Sequence, residues 1–319
     1  MRFIIRADAT KEIGTGHVMR TSVIAEELLS RGFEVIFVGT FTEIPWLKEY
    51  MKNMGFTKVF QSSRQFLSNP SNDFLILDSY HIPVTDSFIQ KNSWNKILAI
   101  VDDSTPQYLA DTYVHPGLFT SWQKPKRSTA GNLFYGEEFI LIRKSLREIR
   151  GAKYNAANSR KQILITGGGS DPFQFSQRIV ELIATLKFDF NAFIIASSFE
   201  LPAGDSRFQF IPMGRGYENL LPSLDLAITT AGTSSYEFLY LGIRTALASA
   251  VENQVGNQKY LVENSLAFSI GHRNTKQEWE LDLREIEKFL NSELFVPEMK
   301  EMKESMGIGH LKIVDLITD

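Results

Sequence analysis

Cysteine is absent from the 319-residue chain, which excludes disulfides, thiolate zinc sites and a cysteine nucleophile. No window holds the roughly 18 apolar residues of a membrane span, and no basic amphipathic run marks a membrane surface. The formal net charge is only −3, so there is no basic field of the kind that holds nucleic acid. The first apolar run, in "MRFIIRADATKEIG", is too short for a signal h-region and meets charge at once, so it reads as a first strand. The expectation is a cytoplasmic protein, monomer or weak dimer, with no nucleic-acid partner and no membrane insertion.

Apolar residues make up 43% of the chain, enough at this length for one large or two medium cores, and length favours two domains. Strand-length apolar runs recur: "FIIRA", "EVIFVGT", "DFLILDS", "KILAIVDDS", then "KQILITGGG", "FNAFIIASS", "RFQFIPM", "LDLAITTAG" and "TALASA". Between them lies helical spacing, as in Val23, Ile24, Leu28 and Leu29, or Phe175, Ile179, Leu182 and Leu186. Strands alternating with helices predict an α/β fold with parallel sheets. The series restarts after a polar stretch, Arg147 to Lys161, taken as a linker. The expected division is 1–148 and 160–300, two Rossmann-like domains facing each other across a cleft, with 301–319 as a closing helical segment.

Four stretches carry candidate chemistry. In "RADATKEIGTGHVMR", a helix starting near Thr15 or Gly16 puts His17 in its first turn and Arg20 on the same face. The positive end of the helix opposes imidazolium formation and favours a neutral ring, the state a general base needs. Gly14 and Gly16 allow close approach of backbone to a ligand. A tight turn with a solvated histidine is the plainer reading. The run lacks the third glycine of a dinucleotide fingerprint.

In "ILITGGGSDPFQFSQRIVELI", the backbone N–H groups of Gly167, Gly168, Gly169 and Ser170 form a candidate diphosphate loop, with Asp171 as an inward cap and proline at N1 of the helix. A glycine turn closing on the sheet is the alternative. In "DLAITTAGTSSYEFLYLGIRTALA", the small turn Ala231 to Ser235, with Thr233 and Ser234, offers N–H groups to a phosphate. Glu237, expected in the first turn, can accept both hydroxyls of a ribose or serve only as a favourable first-turn anion. Beyond it Asn253, Gln254 and Gln258 line a polar pocket or form a loop. The strand ends "LILDSYHI" and "LAIVDDSTPQ" carry Asp78, Tyr80, His81, Asp102 and Asp103. Adjacent Asp102 and Asp103 point apart and no metal-ligand spacing lies near them, so they read as caps and turns, and neither metal nor cofactor is expected.

Taken in order, "RADATKEIGTGHVMR", "LILDSYHI", "IVDDS", "YGEEFILIR", "ITGGGSD" and "TTAGTSSYEFLYLG" resemble the UDP-2,4-diacetamido-2,4,6-trideoxy-β-L-altropyranose hydrolases of the pseudaminic acid pathway and the related spore-coat polysaccharide proteins. The resemblance runs from Arg6 to about Gly271 and is most specific in I-G-x-G-H-x-x-R. That family is similar in turn to UDP-GlcNAc glycosyltransferases with the two-domain GT-B fold. The resemblance implies His17 as general base, Tyr80 as a catalytic tyrosine near the sugar, and Gly168 with its neighbours as the diphosphate loop. It also implies Glu237 at the ribose and Asn253 and Gln254 close to the substrate. Asp78, in the same D-x-Y, is expected at the sugar, and Gly14, Gly16 and Arg20 near the diphosphate. His81, where the family can have glycine, bears on which sugar is used.

The expected reaction is metal-independent hydrolysis of a UDP-activated deoxy-amino sugar with inversion, His17 deprotonating the attacking water. UDP is a weak base, so N–H groups, helix N-termini and Arg20 can stabilise its charge without a separate acid. Four rivals stand beside this reading. An inverting GT-B glycosyltransferase would use an acceptor surface, for which "FTEIPWLKEYMKNMGF" (Phe41 to Phe56) is mildly suited. A UDP-sugar 2-epimerase would need carboxylates near C2. A noncatalytic nucleotide-sugar sensor would bind without turnover, and an oxidoreductase would require the missing dinucleotide fingerprint.

Overall fold

The computed structural model describes residues 1–41, 44–56, 59–60, 66, 68–126, 130–152, 160–214, 216–292 and 304–319. The chain forms two compact units, Met1–Arg143 with Glu304–Asp319, and Lys144–Lys303. The centre of the expected linker, 153–159, and the stretch 293–303, where the second domain was expected to end and the closing segment to begin, lie outside the described residues.

The first unit is built on β1 (Arg2–Ala7), β2 (Glu34–Val38), β3 (Val59–Phe60), β4 (Asp73–Asp78), β5 (Lys96–Ile100), β6 (Thr112–His115) and β7 (Asn132–Tyr135). They form one sheet in the order β3-β2-β1-β4-β5-β6-β7, every pair parallel. Parallel sheets are covered on both faces, which is why a central strand reads as a continuous apolar run rather than an alternating one. All six residues of β4 are buried. Alternate residues feed two cores: Phe3, Ile5, Phe74 and Ile76 on one face, Ile4, Leu75 and Leu77 on the other. Helix α1 (Gly16–Ser30) lays Val18, Ile24, Ala25 and Leu28 on the first of these.

Helix α2 (Pro45–Asn53) resolves one expectation differently. Phe41, Ile44, Leu47, Met51 and Phe56 are all core residues. Five apolar side chains of the stretch read as a mild acceptor surface are thus turned inward, while Trp46, Tyr50 and Met54 pack against the core half-buried, positions 42 and 43 lying outside the described residues.

The second unit repeats the plan with β8 (Lys161–Thr166), β9 (Phe190–Ala196), β10 (Phe208–Pro212), β11 (Leu226–Thr230), β12 (Arg244–Ser249), β13 (Phe268–Arg273) and β14 (Trp279–Leu281). Their order is β10-β9-β8-β11-β12-β13-β14, parallel except for the β13–β14 pair. Its helices are α3 (Lys144–Glu148), α4 (Phe175–Ala184), α5 (Thr233–Leu241), α6 (Glu252–Glu263) and α7 (Leu283–Asn291). Ile163, Ile165, Ile179, Ile194, Ile228 and Phe289 form its core. In each sheet the strand order reverses beside the first strand, between β1 and β4 and between β8 and β11. Ligands of open α/β sheets bind outside the carboxyl ends of the strands at such a point.

The closing helix α8 (Gly309–Thr318), read from the sequence as a segment of its own, belongs to the first unit. Ile313, Val314 and Ile317 enter the same core as α1, and Arg31 pairs with Asp315 at 2.7 Å. Lys96 Nζ donates to the Leu316 carbonyl at 3.1 Å. A Cβ at Gly309 would lie 2.1 Å from the Ile140 carbonyl oxygen. Gly309→Ala should therefore destabilise the chain by about 1–3 kcal/mol, an overpacking cost, read as a lower urea midpoint; an unchanged midpoint would mean that α8 is not seated there. No helix among the described residues is long and apolar enough to cross a membrane.

Candidate active site

The loop after β1 is shaped by a short bridge between Thr10 and Gly14. Gly14 N–H donates to the Thr10 carbonyl at 2.9 Å, and its φ of 84° is the left-handed backbone that glycine adopts without penalty. Gly16 has a different reason to be glycine. It is exposed, and apart from its chain neighbours and its own helix backbone no atom of the described residues lies within 4 Å of where its Cβ would stand. The fold has room for a side chain there, and that room is open at the first residue of α1.

His17 is the second residue of α1 and is buried, with 5% exposure. Its Nδ1 lies 2.5 Å from Asp78 Oδ1, at the carboxyl end of β4. A carboxylate can only accept, so Nδ1 carries the proton and a neutral ring keeps its lone pair on Nε2. By the same logic the 3.2 Å approach of Arg20 Nη2 to His17 Nδ1 is not a hydrogen bond but sets two donors side by side, both serving Asp78. Asp78 is thus the group that sets the tautomer.

Arg20 was expected near a diphosphate. Instead its Nε donates to Asp78 Oδ2 at 2.5 Å and its Nη2 to Asp78 Oδ1 at 2.6 Å, a bidentate pair. Its Nη1 reaches Asp102 Oδ2 at 3.5 Å. Asp78, expected at the sugar, has no exposed surface and is occupied by His17 and Arg20. Burial by itself would raise its carboxyl, but Arg20 and His17 outweigh burial and hold it at about 2. Burial likewise opposes the Arg20 charge, and Asp78 more than reverses that.

Tyr80 closes the group. Its hydroxyl donates to Asp102 Oδ2, and its ring meets His17 edge-on, centroids 4.2 Å apart. Burial, with Asp102 and Asp78 adding to it against Arg20, pushes the phenol far above its ordinary range. Tyr80 thus stands as a wall beside the His17 ring and a donor to Asp102. Asp102, read as a cap, has both duties: Oδ1 accepts from Ser104 N–H at 3.0 Å while Oδ2 faces Arg20 and Tyr80. His81 is exposed. Among the described residues, no group of three or more His, Asp and Glu side chains is arranged to hold a metal ion.

In the second unit the candidates fall at the carboxyl ends of β8, β11 and β12, neighbours in the sheet. Asp171 takes a φ of 42°, and its carboxylate accepts from Phe175 N–H and Ser176 N–H, each at 2.9 Å. It is the inward cap expected of it, yet α4 starts at Phe175, so Pro172 lies in the turn and not at N1. A Cβ at Gly167 would sit 2.0 Å from that carboxylate. Fewer N–H groups of the candidate diphosphate loop are open than expected. Gly167 N–H donates to Ser176 Oγ and Gly168 N–H to Thr166 Oγ1. Among the described residues, Gly169 and Ser170 N–H have no protein acceptor, and the buried Ser170 Oγ has no partner.

Helix α5 opens at Thr233 without a side-chain cap, leaving the Thr233 and Ser234 N–H groups without a protein acceptor among the described residues. Glu237, expected in the first turn, is the fifth residue of the helix and is buried, with 6% exposure. Gly242 ends the helix in the left-handed region, φ 75°. Asn253 and Gln254 lie in the first turn of α6. Gln254 Oε1 accepts from Ala250 N–H at 2.9 Å, and its Nε2 would stand 3.3 Å from a Cβ on Gly232. Gln258 is structural, its amide donating to Leu247 and Gly271 carbonyls.

No protein-family model matches the chain. It is 27% identical over 267 residues to an uncharacterized protein of Methanocaldococcus jannaschii, covering 76% of this chain and 54% of that one. The chain thus spans about half the length of this relative. It is 21% identical over 284 residues to the spore coat polysaccharide biosynthesis protein SpsG of Bacillus subtilis, covering 84% of this chain and 83% of that one. Among solved structures it is similar to MurG of Acinetobacter baumannii, with TM-score 0.60, 15% identity and coverage of 100% and 99%. It is similar also to the spinosyn forosaminyltransferase SpnP, with TM-score 0.61, 12% identity and full coverage of both chains. The fold is that of the GT-B glycosyltransferases. A Streptomyces glycosyltransferase complexed with thymidine diphosphate shares it at TM-score 0.60 and 11% identity, covering 100% and 99%. At such identities these GT-B structures speak for the fold alone.

Proposed function

We propose that the chain hydrolyses the anomeric C–O bond of a UDP-activated deoxy-amino sugar, with His17 as the base. The carrying observation is the 2.5 Å contact between His17 Nδ1 and Asp78. It commits one ring nitrogen and leaves Nε2, which has no hydrogen bond among the described residues, to take a proton from water. The open space over Gly16 supports a ligand at the same helix start. In the proposed step water oxygen bonds to C1, its proton goes to Nε2, and the C1–O bond breaks with its electron pair on UDP. Attack from the side opposite the leaving group inverts the configuration.

The second unit is proposed to seat the nucleotide. The unengaged N–H groups of Gly169, Ser170, Thr233 and Ser234, with Ser170 Oγ, supply donors at two neighbouring strand ends, and backbone donors at such points suit a diphosphate. Glu237 is proposed at the ribose, Asn253 and Gln254 near the sugar. Arg20 is proposed instead to hold Asp78, to which its Nε and Nη2 donate, with its Nη1 3.5 Å from Asp102. The biosynthetic setting, a nonulosonic acid or surface polysaccharide, is supported by the sequence resemblance and the likeness to SpsG.

Transfer to an acceptor hydroxyl is the second reading. The GT-B fold and the forosaminyltransferase neighbour favour it, while Phe41, Ile44, Leu47, Met51 and Phe56 of the stretch suited to an acceptor lie in the core. Proton NMR of the protein with a panel of UDP-sugars separates the two. UDP release without acceptor, with the inverted anomer formed first, is expected. A retained anomer would sink the single-base mechanism, and release only after an acceptor is added would establish transfer.

A further inference from the structure

Tyr80 reaches His17 from a turn and not from a strand. Residues 79–82 follow β4, and the backbone on either side of Tyr80 and His81 is held by one side chain. Tyr108 Oη donates to the Ile82 carbonyl at 2.9 Å and lies 3.2 Å from the Ser79 carbonyl. Tyr108 is itself buried, with 2% exposure, in the segment between β5 and β6. Tyr113 on β6 fixes that segment: its hydroxyl donates to the Tyr108 carbonyl at 2.8 Å and accepts from Ala110 N–H at 2.9 Å. The turn that carries Asp102 is tied to the same aromatic group. The Tyr113 ring lies against Trp122, centroids 5.2 Å apart. Trp122 Nε1 donates to the Thr105 carbonyl at 2.8 Å, and Thr105 Oγ1 accepts from Asp102 N–H at 2.8 Å. Three buried aromatic side chains thus set where Tyr80 and Asp102 meet.

We infer that Tyr108 is a positioning residue, its hydroxyl fixing the 79–82 turn so that the Tyr80 ring stands against His17 and the Tyr80 hydroxyl on Asp102. The inference rests on the proposed function, in which His17 is the base. A four-residue turn pinned at both ends leaves the side chains between them little freedom. The Tyr80 ring meets His17 at 4.2 Å between centroids, so a shift of the turn moves the wall on which the imidazole rests. The Tyr80 hydroxyl also donates to Asp102 Oδ2, the oxygen that faces Arg20, and Arg20 in turn holds Asp78. Displacement of the turn therefore reaches the contact between His17 and Asp78 by two routes. A misplacement of about 1 Å caused away from the chemistry can cost on the order of a hundredfold in rate. Burial, opposed by Arg6, pushes the Tyr108 phenol up to about 12, so the proton that holds the turn stays in place at neutral pH. Phenylalanine would keep the ring packing and remove only the hydroxyl.

The test compares wild type, Tyr108→Phe, Tyr80→Ala and the double variant in three measurements: steady-state UDP release from the UDP-sugar that wild type turns over, inhibition by UDP alone, and thermal midpoint. Tyr108→Phe should lower kcat about ten- to a hundredfold, with KM and inhibition by UDP little changed. Its midpoint should fall, because two carbonyls of the turn lose their donor. Tyr80→Ala should lower kcat at least as far. In the double variant kcat should match that of Tyr80→Ala alone while the midpoint loss of Tyr108→Phe persists, since a residue acting through another has nothing further to remove. A wild-type kcat in Tyr108→Phe would overturn the inference while leaving the proposed function intact. So would single losses in kcat that multiply in the double variant, or a Tyr108→Phe in which KM and inhibition by UDP weaken along with kcat, the marks of a general structural role. If wild type releases UDP from no UDP-sugar, with or without acceptor, the proposed function fails and this inference with it.

Discussion

His17→Ala should lower kcat for UDP release by about 10²–10⁴-fold, the usual contribution of a positioned general base, with inhibition by UDP unchanged. The variant should fold. Asp78 keeps its bidentate contact with Arg20 when the ring is removed, so no buried charge is stranded, and the cost is that of a small cavity beside Tyr80. Circular dichroism and thermal midpoint report the fold while UDP release reports the base. Turnover within a few-fold of wild type in a folded variant would show that Nε2 is not the proton acceptor.

Asp78→Asn should be as damaging to turnover, for another reason, and should also cost stability. An amide can donate to His17 Nδ1, and a ring that accepts there carries its proton on Nε2, the wrong tautomer for a base. The amide also cannot neutralise Arg20, whose remaining carboxylate, Asp102, is 3.5 Å away. Removing one partner of a buried ion pair costs about 3–5 kcal/mol. The pH dependence has a definite sign. The folded carboxyl stands at about 2, below its ordinary value of 3.8, so its stabilising contribution is complete above the ordinary value and is lost as pH falls through the folded one. Urea midpoints of wild type and variant should differ most at neutral pH and converge between about pH 4 and pH 2. A difference that stays constant through that window would mean that Asp78 is not the charge that holds Arg20.

Strands buried on both faces announced themselves as apolar runs, and each of the nine runs read as strands contains one. What was not legible was short or poorly buried: β3 has two residues, and β13, with six, buries only Ile270. "TYVH" and "NLFY", β6 and β7, are four residues each with no apolar run to mark them, and β14 is a three-residue antiparallel edge. In the site, His17 and Arg20 were visible because three positions on a helix share a face. Their partner was not, since Asp78 is 61 residues from His17 and sequence spacing says nothing about contacts across a sheet. Asp102 and Asp103 looked alike as neighbours, but only Asp102 faces Arg20 and Tyr80. The start of α4 was misplaced because Asp171 reaches four and five residues ahead to cap it, a longer span than the proline at N1 suggested.

The return of α8 to the first unit makes the second unit an insertion. The chain leaves the first unit after Arg143 and re-enters it at Glu304, so on the ribosome the N-terminal core waits for Ile313, Val314 and Ile317 until all of the second unit has been made. No single cut divides the protein into its two halves: a fragment stopped at Arg143 would carry His17 and Asp78 on a sheet whose outer layer is missing a helix. A separable N-terminal unit needs residues 144–303 excised and the flanking ends rejoined.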